Sequence, residues 1–126
     1  MKKTVIFLST LMAVHSCARA GFELVGSGGT ATVLVPAGES ECVRLAADDL
    51  IGDVRRITGK LPAAVPRLED GISACVVIAS MNRPDSAALV EKLAPGFGAD
   101  LRGKWEAYRV ENVTTPTGER LIIAGS

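Results

Sequence analysis

Histidine is almost missing from this chain. The single one, His15, lies near the N-terminus, and from Gly21 onward there is none. That excludes imidazole-held zinc and Ser-His or Cys-His nucleophiles from the body of the protein. Aromatic residues are nearly as scarce, at 4% of 126 residues, with one Trp and one Tyr. Phe22, Phe97, Trp105 and Tyr108 are too few for a broad stacking platform. Neither sign of charge dominates, with 14 basic and 14 acidic residues, so the basic footprint that nucleic acid binding needs is absent. The apolar run Thr4 to Val14 is too short to cross a bilayer core of about 30 Å as a helix. No membrane span is expected.

What is present at the N-terminus reads as an export signal. Lys2 and Lys3 precede the apolar run, and Ala18-Arg19-Ala20 supplies a small-x-small cleavage pattern. Residues 1–20 are therefore expected to be a signal peptide, and the mature chain to be periplasmic or extracellular in a bacterium. A rival reading cleaves before Cys17, since Val14-His15-Ser16-Cys17 loosely follows a lipoprotein box, although His fits its second position poorly. Cleavage after Ala20 removes Lys2, Lys3 and Arg19 but no acid, taking the formal charge from 0 to −3. Cys42 and Cys75 then remain. Export permits a disulfide between them, and two small buried thiols are the alternative.

Segment 21–29 reads as a flexible lead-in. Its Gly26-Ser27-Gly28-Gly29 run precedes the first strand instead of following one, so it is no dinucleotide loop, and no cofactor is expected. Thr30 to Val35 is β-rich and stops at Pro36-Ala37-Gly38. From Glu41 to Thr58, Cys42, Val43, Ala46, Ala47, Leu50, Val54 and Ile57 recur at helical spacing. Ser40 suits the N-cap, Arg55 and Arg56 the last turn, and Gly59 the stop. Cys75 to Ala79 is a continuous apolar run, as in a strand buried on both faces. Pro84 opens a short helix through Leu93. Trp105 to Glu111 and Arg120 to Ala124 read as strands of an antiparallel hairpin.

The order β-α-β-α-β-β predicts an α/β (α+β) two-layer sandwich, a mixed sheet with helices on one face. The final strand runs into Gly125-Ser126 where a covering helix would ordinarily begin, so residues 30–126 read as a truncated domain lacking its last helix.

Leu45-Ala46-Ala47-Asp48-Asp49-Leu50, Asp53-Val54-Arg55-Arg56-Ile57-Thr58-Gly59, Gly103-Lys104-Trp105-Glu106 and Leu121-Ile122-Ile123-Ala124-Gly125-Ser126 follow one another in this order. Together they resemble the N-terminal domain of glycoside hydrolase family 115, the xylan α-1,2-glucuronidases, from about Thr30 to Ser126. The helix ending in Arg-Ile-Thr-Gly also resembles N-terminal domains of family 67 α-glucuronidases and family 20 hexosaminidases. The resemblance implies a non-catalytic α/β domain packed against a (β/α)8 barrel that carries the catalytic groups. That barrel would be its partner within the same chain, and xylan would be bound through the barrel. No position here matches a catalytic residue of the family.

The residues agree with that implication. Glycoside hydrolysis needs two carboxyls roughly 5–10 Å apart across one cleft. Asp53, Glu69, Asp70, Glu106 and Glu111 fall on a helix face, a loop and strand ends, with no spacing that forces convergence. Asp48 and Asp49 share the solvated helix face with Asp53. Arg44 precedes Asp48 by four positions and Asp53 precedes Arg56 by three, so ion pairing accounts for the charges. Trp105 has two readings: a sugar-stacking platform, or a packing residue in the core or between domains. Asn112-Val113-Thr114 matches a glycosylation acceptor, a match without consequence in a bacterial export product.

Overall fold

The computed structural model describes residues 21–126; the expected leader, with His15 and Cys17, lies outside the described residues. In chain order the elements are β1 (Val25–Gly26), β2 (Gly29–Thr30), β3 (Thr32–Leu34), α1 (Glu41–Thr58), β4 (Ala64–Val65), β5 (Ala74–Ser80), α2 (Pro84–Leu93), a 3-10 turn (Phe97–Asp100), β6 (Tyr108–Thr115) and β7 (Gly118–Gly125). β1 and β2 pair as a separate antiparallel ribbon, so the glycine-rich lead-in carries a tight hairpin. Gly29 supports it with a φ of 130°. The other five strands form one sheet in the order β4-β3-β5-β7-β6. β4, β3, β5 and β7 are parallel and β6 is antiparallel to β7. The expected mixed α/β sheet is thus present.

The two helices begin and end for local reasons visible in the sequence. Ser40 Oγ accepts a hydrogen bond from the Val43 amide at 3.4 Å, which satisfies one of the free N–H groups of the first turn of α1. Gly59 takes the left-handed conformation at φ 74° and donates its N–H to Arg55 O, where a side chain would be strained. Pro84 opens α2, whose first turn needs no internal N–H at that position.

The helices lie on opposite faces of the sheet. Cys75, Val77, Ala79, Ile122 and Ala124 point to one face and join Val90 and Ala94 of α2, Phe97 and Leu101 in a single buried cluster. Alternation along the strands sends Val33 and Val76, also fully buried, to the other face. There α1 covers them with Ala47 and Val54. The topology explains the arrangement. α1 connects β3 to β4 on one side of β3, whereas α2 leads from β5 toward β7 on the other. Right-handed crossovers running in opposite directions put their helices on opposite faces. Helices on one face had been expected; the difference comes from β4, a two-residue strand too short to leave a pattern.

The stripe along α1 is only partly used. Ala47 and Val54 are buried, but Cys42 and Ala46 are exposed and Ile57 is 83% exposed. An 18-residue helix is about 27 Å long, and the strands beneath it, β3 and β4, are three and two residues long. Its last turn overhangs the sheet.

Candidate functional site

In an open α/β sheet, ligands usually enter at the carboxyl ends of the strands where successive helices diverge to opposite faces. Here that point lies between β3 and β5, and Glu39 fills it. The Glu39 side chain is 3% exposed. One carboxylate oxygen accepts from the Ser80 amide at 2.7 Å and the other from the Ser40 amide at 3.3 Å. Arg44 Nη1 donates to the Glu39 carbonyl at 2.8 Å. The acid is spent on closing the crevice.

A hollow of about 520 Å³ lies beside the ends of β5 and β7, lined by Met81, Glu91, Arg102, Lys104 and Ser126 among others. Glu91 accepts from the amides of Gly96 at 2.8 Å and Gly98 at 2.9 Å. These two bonds, with a smaller contribution from Arg102, hold its carboxyl below the usual range. Glu91 therefore ties the end of α2 to the 3-10 turn.

A second groove, about 690 Å³, runs between loop 66–73, α2 and the β6–β7 turn, with Arg120 at its base. The Arg120 side chain is fully buried. Its Nη1 donates to Ser73 O and Glu119 O, and its Nη2 to Ile72 O and Thr117 Oγ1, at 2.9–3.3 Å. Its Nε has no partner. The guanidinium fastens loop 66–73 to the hairpin. Cys75 is its register neighbour on β5. Burial pushes the Cys75 thiol up to about 11, against the opposing charge of Arg120. Cys75 is a buried free thiol and Cys42 an exposed one, so there is no disulfide between them, and the expectation of two buried thiols holds for Cys75 but not for Cys42.

The candidate acids are dispersed. Asp48, Asp49 and Asp53 are exposed on α1. Asp53 pairs with Arg56 at 2.8 Å, whereas Arg44 turns to Glu39 instead of Asp48. Glu69 and Asp70 are consecutive in an exposed loop, and Glu106 is exposed with a φ of 51°. Glu111 pairs with Arg109 at 2.8 Å. Among the described residues no group of three or more His, Cys, Asp or Glu could hold a metal ion, and no helix is long and apolar enough to cross a membrane.

Trp105 is 88% exposed and precedes β6, which starts three residues later than its composition suggests. It packs into no core of the described residues. Beside it, Tyr108 is 77% and Val110 52% exposed. In register these lie on the α1 face of the sheet with half-buried Ile78, Leu121 and Ile123. α1 does not extend over this part of the sheet, so a contiguous apolar area remains open.

Glu39, Glu91 and Arg120 are charged residues with structural roles that sequence reading did not single out. Arg120 left a faint signal, a cation at an inward position of the run Arg120-Leu121-Ile122-Ile123. Glu39 left none beyond preceding the cap, because its partner, Ser80, is remote in sequence. No protein-family model matches the chain, and no curated protein matches it either.

Proposed function

We propose that residues 30–126 are the non-catalytic N-terminal domain of an exported xylan α-1,2-glucuronidase, an enzyme that removes (4-O-methyl)glucuronic acid side chains from glucuronoxylan. The observation that carries the reading is the open apolar area formed by Tyr108, Val110, Ile78, Leu121 and Ile123, with Trp105 at its border. A contiguous apolar patch of this kind suits packing against a further domain. The catalytic barrel of the same polypeptide is the proposed occupant. The buried charged groups serve the fold: Glu39 and Arg120 are both engaged by backbone. In this reading the domain contributes no acid or nucleophile, and residues 21–126 alone release no uronic acid.

The test is to read the coding frame past the Ser126 codon and assay the resulting protein. The expected result is an acid, a basic pair and Gly, then several hundred residues whose product releases glucuronic acid from glucuronoxylan. A stop codon confirmed in independent clones would overturn the proposal.

A stand-alone carbohydrate-binding module is the second reading, favoured by the exposure of Trp105 and Tyr108. An aromatic face suits a pyranose ring. That reading expects the chain to be depleted from solution by insoluble xylan and Trp105→Ala to abolish the depletion. No retention of the unaltered chain would remove it.

A further inference from the structure

The outer edge of β6 carries a second surface, which meets the apolar face at Val110. β6 is eight residues long and ends the sheet; no described segment pairs with its free side. Open edges of this length are ready templates for another strand. The Ser126 amide donates to Ala107 O at 2.9 Å, and Tyr108 lies opposite Gly125. Odd-numbered residues of β6 therefore bond inward to β7. Tyr108, Val110, Asn112 and Thr114 direct their N–H and C=O groups to the open side.

The geometry points to a second copy of this chain as the partner of that edge, joined antiparallel about a two-fold axis through Val110. The side chains select this register. With the axis at Val110, Arg109 of each copy faces Glu111 of the other, Tyr108 faces Asn112, and the two Val110 side chains meet. An axis at Arg109 would set Arg109 against Arg109, and one at Glu111 would set Glu111 against Glu111. An axis at Asn112 leaves both charges facing uncharged residues, Arg109 facing Thr115 and Glu111 facing Val113. Opposite charges directly across a strand pair stabilise it, and like charges destabilise it. Arg109 and Glu111 already lie 2.8 Å apart within one strand, on side chains 35% and 37% exposed. Arg109 also pairs with Asp100 at 3.3 Å, so the two-fold contact would set two already oriented Asp100–Arg109–Glu111 groups side by side. Val110, 52% exposed in the single chain, would be covered by its own counterpart. An isologous contact of this kind closes after two copies and leaves no further edge at β6. The inference does not rest on the enzyme reading: it needs only the free backbone edge of β6 and the Arg109 and Glu111 side chains, with Val110 shared between this edge and the apolar face.

The test is site-directed crosslinking of the whole chain, with Cys17 and Cys42 replaced by Ser. Residues facing each other in a hydrogen-bonded antiparallel pair have Cα atoms about 5.5 Å apart, within disulfide range. Val110→Cys is expected to give a reductant-sensitive dimer on mild oxidation, with an unchanged circular dichroism spectrum. Asn112→Cys, whose two copies would sit about 13 Å apart along the strands, is expected to give none. Independently, Val110→Lys sets two ammonium groups against each other and should weaken dimerisation at least tenfold by sedimentation equilibrium. A chain that stays monomeric at every concentration overturns the inference. So does crosslinking at 112 as fast as at 110.

Discussion

The carboxylate of Glu39 accepts a 2.7 Å hydrogen bond from the backbone of Ser80, 41 positions further along the chain. It joins the segment ahead of α1 to the end of β5, just before the chain turns toward α2. The two halves of the fold are locked at the point where an α/β sheet would otherwise open to a ligand.

Removing that acceptor strands two backbone donors in a nearly closed crevice. Glu39→Ala is expected to cost about 1–3 kcal/mol in urea unfolding. Glu39→Gln should cost less, because its amide oxygen can still accept from Ser80. Equal losses in the two variants would show that the hydrogen bond to Ser80 is not what stabilises the joint.

Gly118 cannot carry a side chain. It sits at φ 136°, and a Cβ there would collide with the Ser73 carbonyl, the same oxygen that accepts from the Glu119 amide. Gly118→Ala should lose about 3 kcal/mol or more. Gly52→Ala, in open space within α1, should gain about 0.5–1 kcal/mol from the restricted unfolded chain. Thermal unfolding of the pair checks both signs, and a neutral Gly118→Ala would contradict the collision.

The two thiols should differ in reactivity. Peptide mapping after alkylation at pH 8 is expected to find Cys42 modified and Cys75 protected in the folded chain. Cys75 holds its proton more tightly folded, at about 11, than at its ordinary 9.0. The stability this contributes is present below 9 and is lost as pH rises toward 11, because the unfolded chain releases the proton first. Cys75→Ala should flatten the fall in stability across that window. An unchanged slope would mean that another group is responsible.

Val54 and Ile57 share the helical stripe of α1 but not its burial, at 5% and 83% exposed. Val54→Ala should cost about 1.5–3 kcal/mol by chemical denaturation. Ile57→Ala should stay within about 0.5 kcal/mol. A comparable loss at Ile57 would mean that the overhanging turn is packed after all.

Much of the local structure was legible because it rests on residues close in sequence. The Ser40 cap, the Gly59 stop and Pro84 at the start of α2 each depend on a neighbour within four positions, and the β6–β7 hairpin was legible as a hairpin, although its strands run closer to the turn than composition suggests. The apolar run at Cys75 announced a strand covered on both sides, and it is one. Trp105 was harder to read, because its composition suits a strand or a core while its position ahead of β6 leaves it in solvent.

By itself, then, the chain's order of residues determined its helices, its central strand and its final hairpin, through periodicity and capping that act over one or two turns. Tertiary structure alone decided the rest. The brief pairing of β4 with β3 reverses the direction of one crossover and sends the helices to opposite faces. That leaves part of the sheet open beside β6 and folds Glu39 and Arg120 onto backbone groups that no local pattern could have assigned them. The reason is physical: a buried charge needs hydrogen-bonding partners wherever the fold supplies them, and these came from loops and strand ends up to 48 positions away.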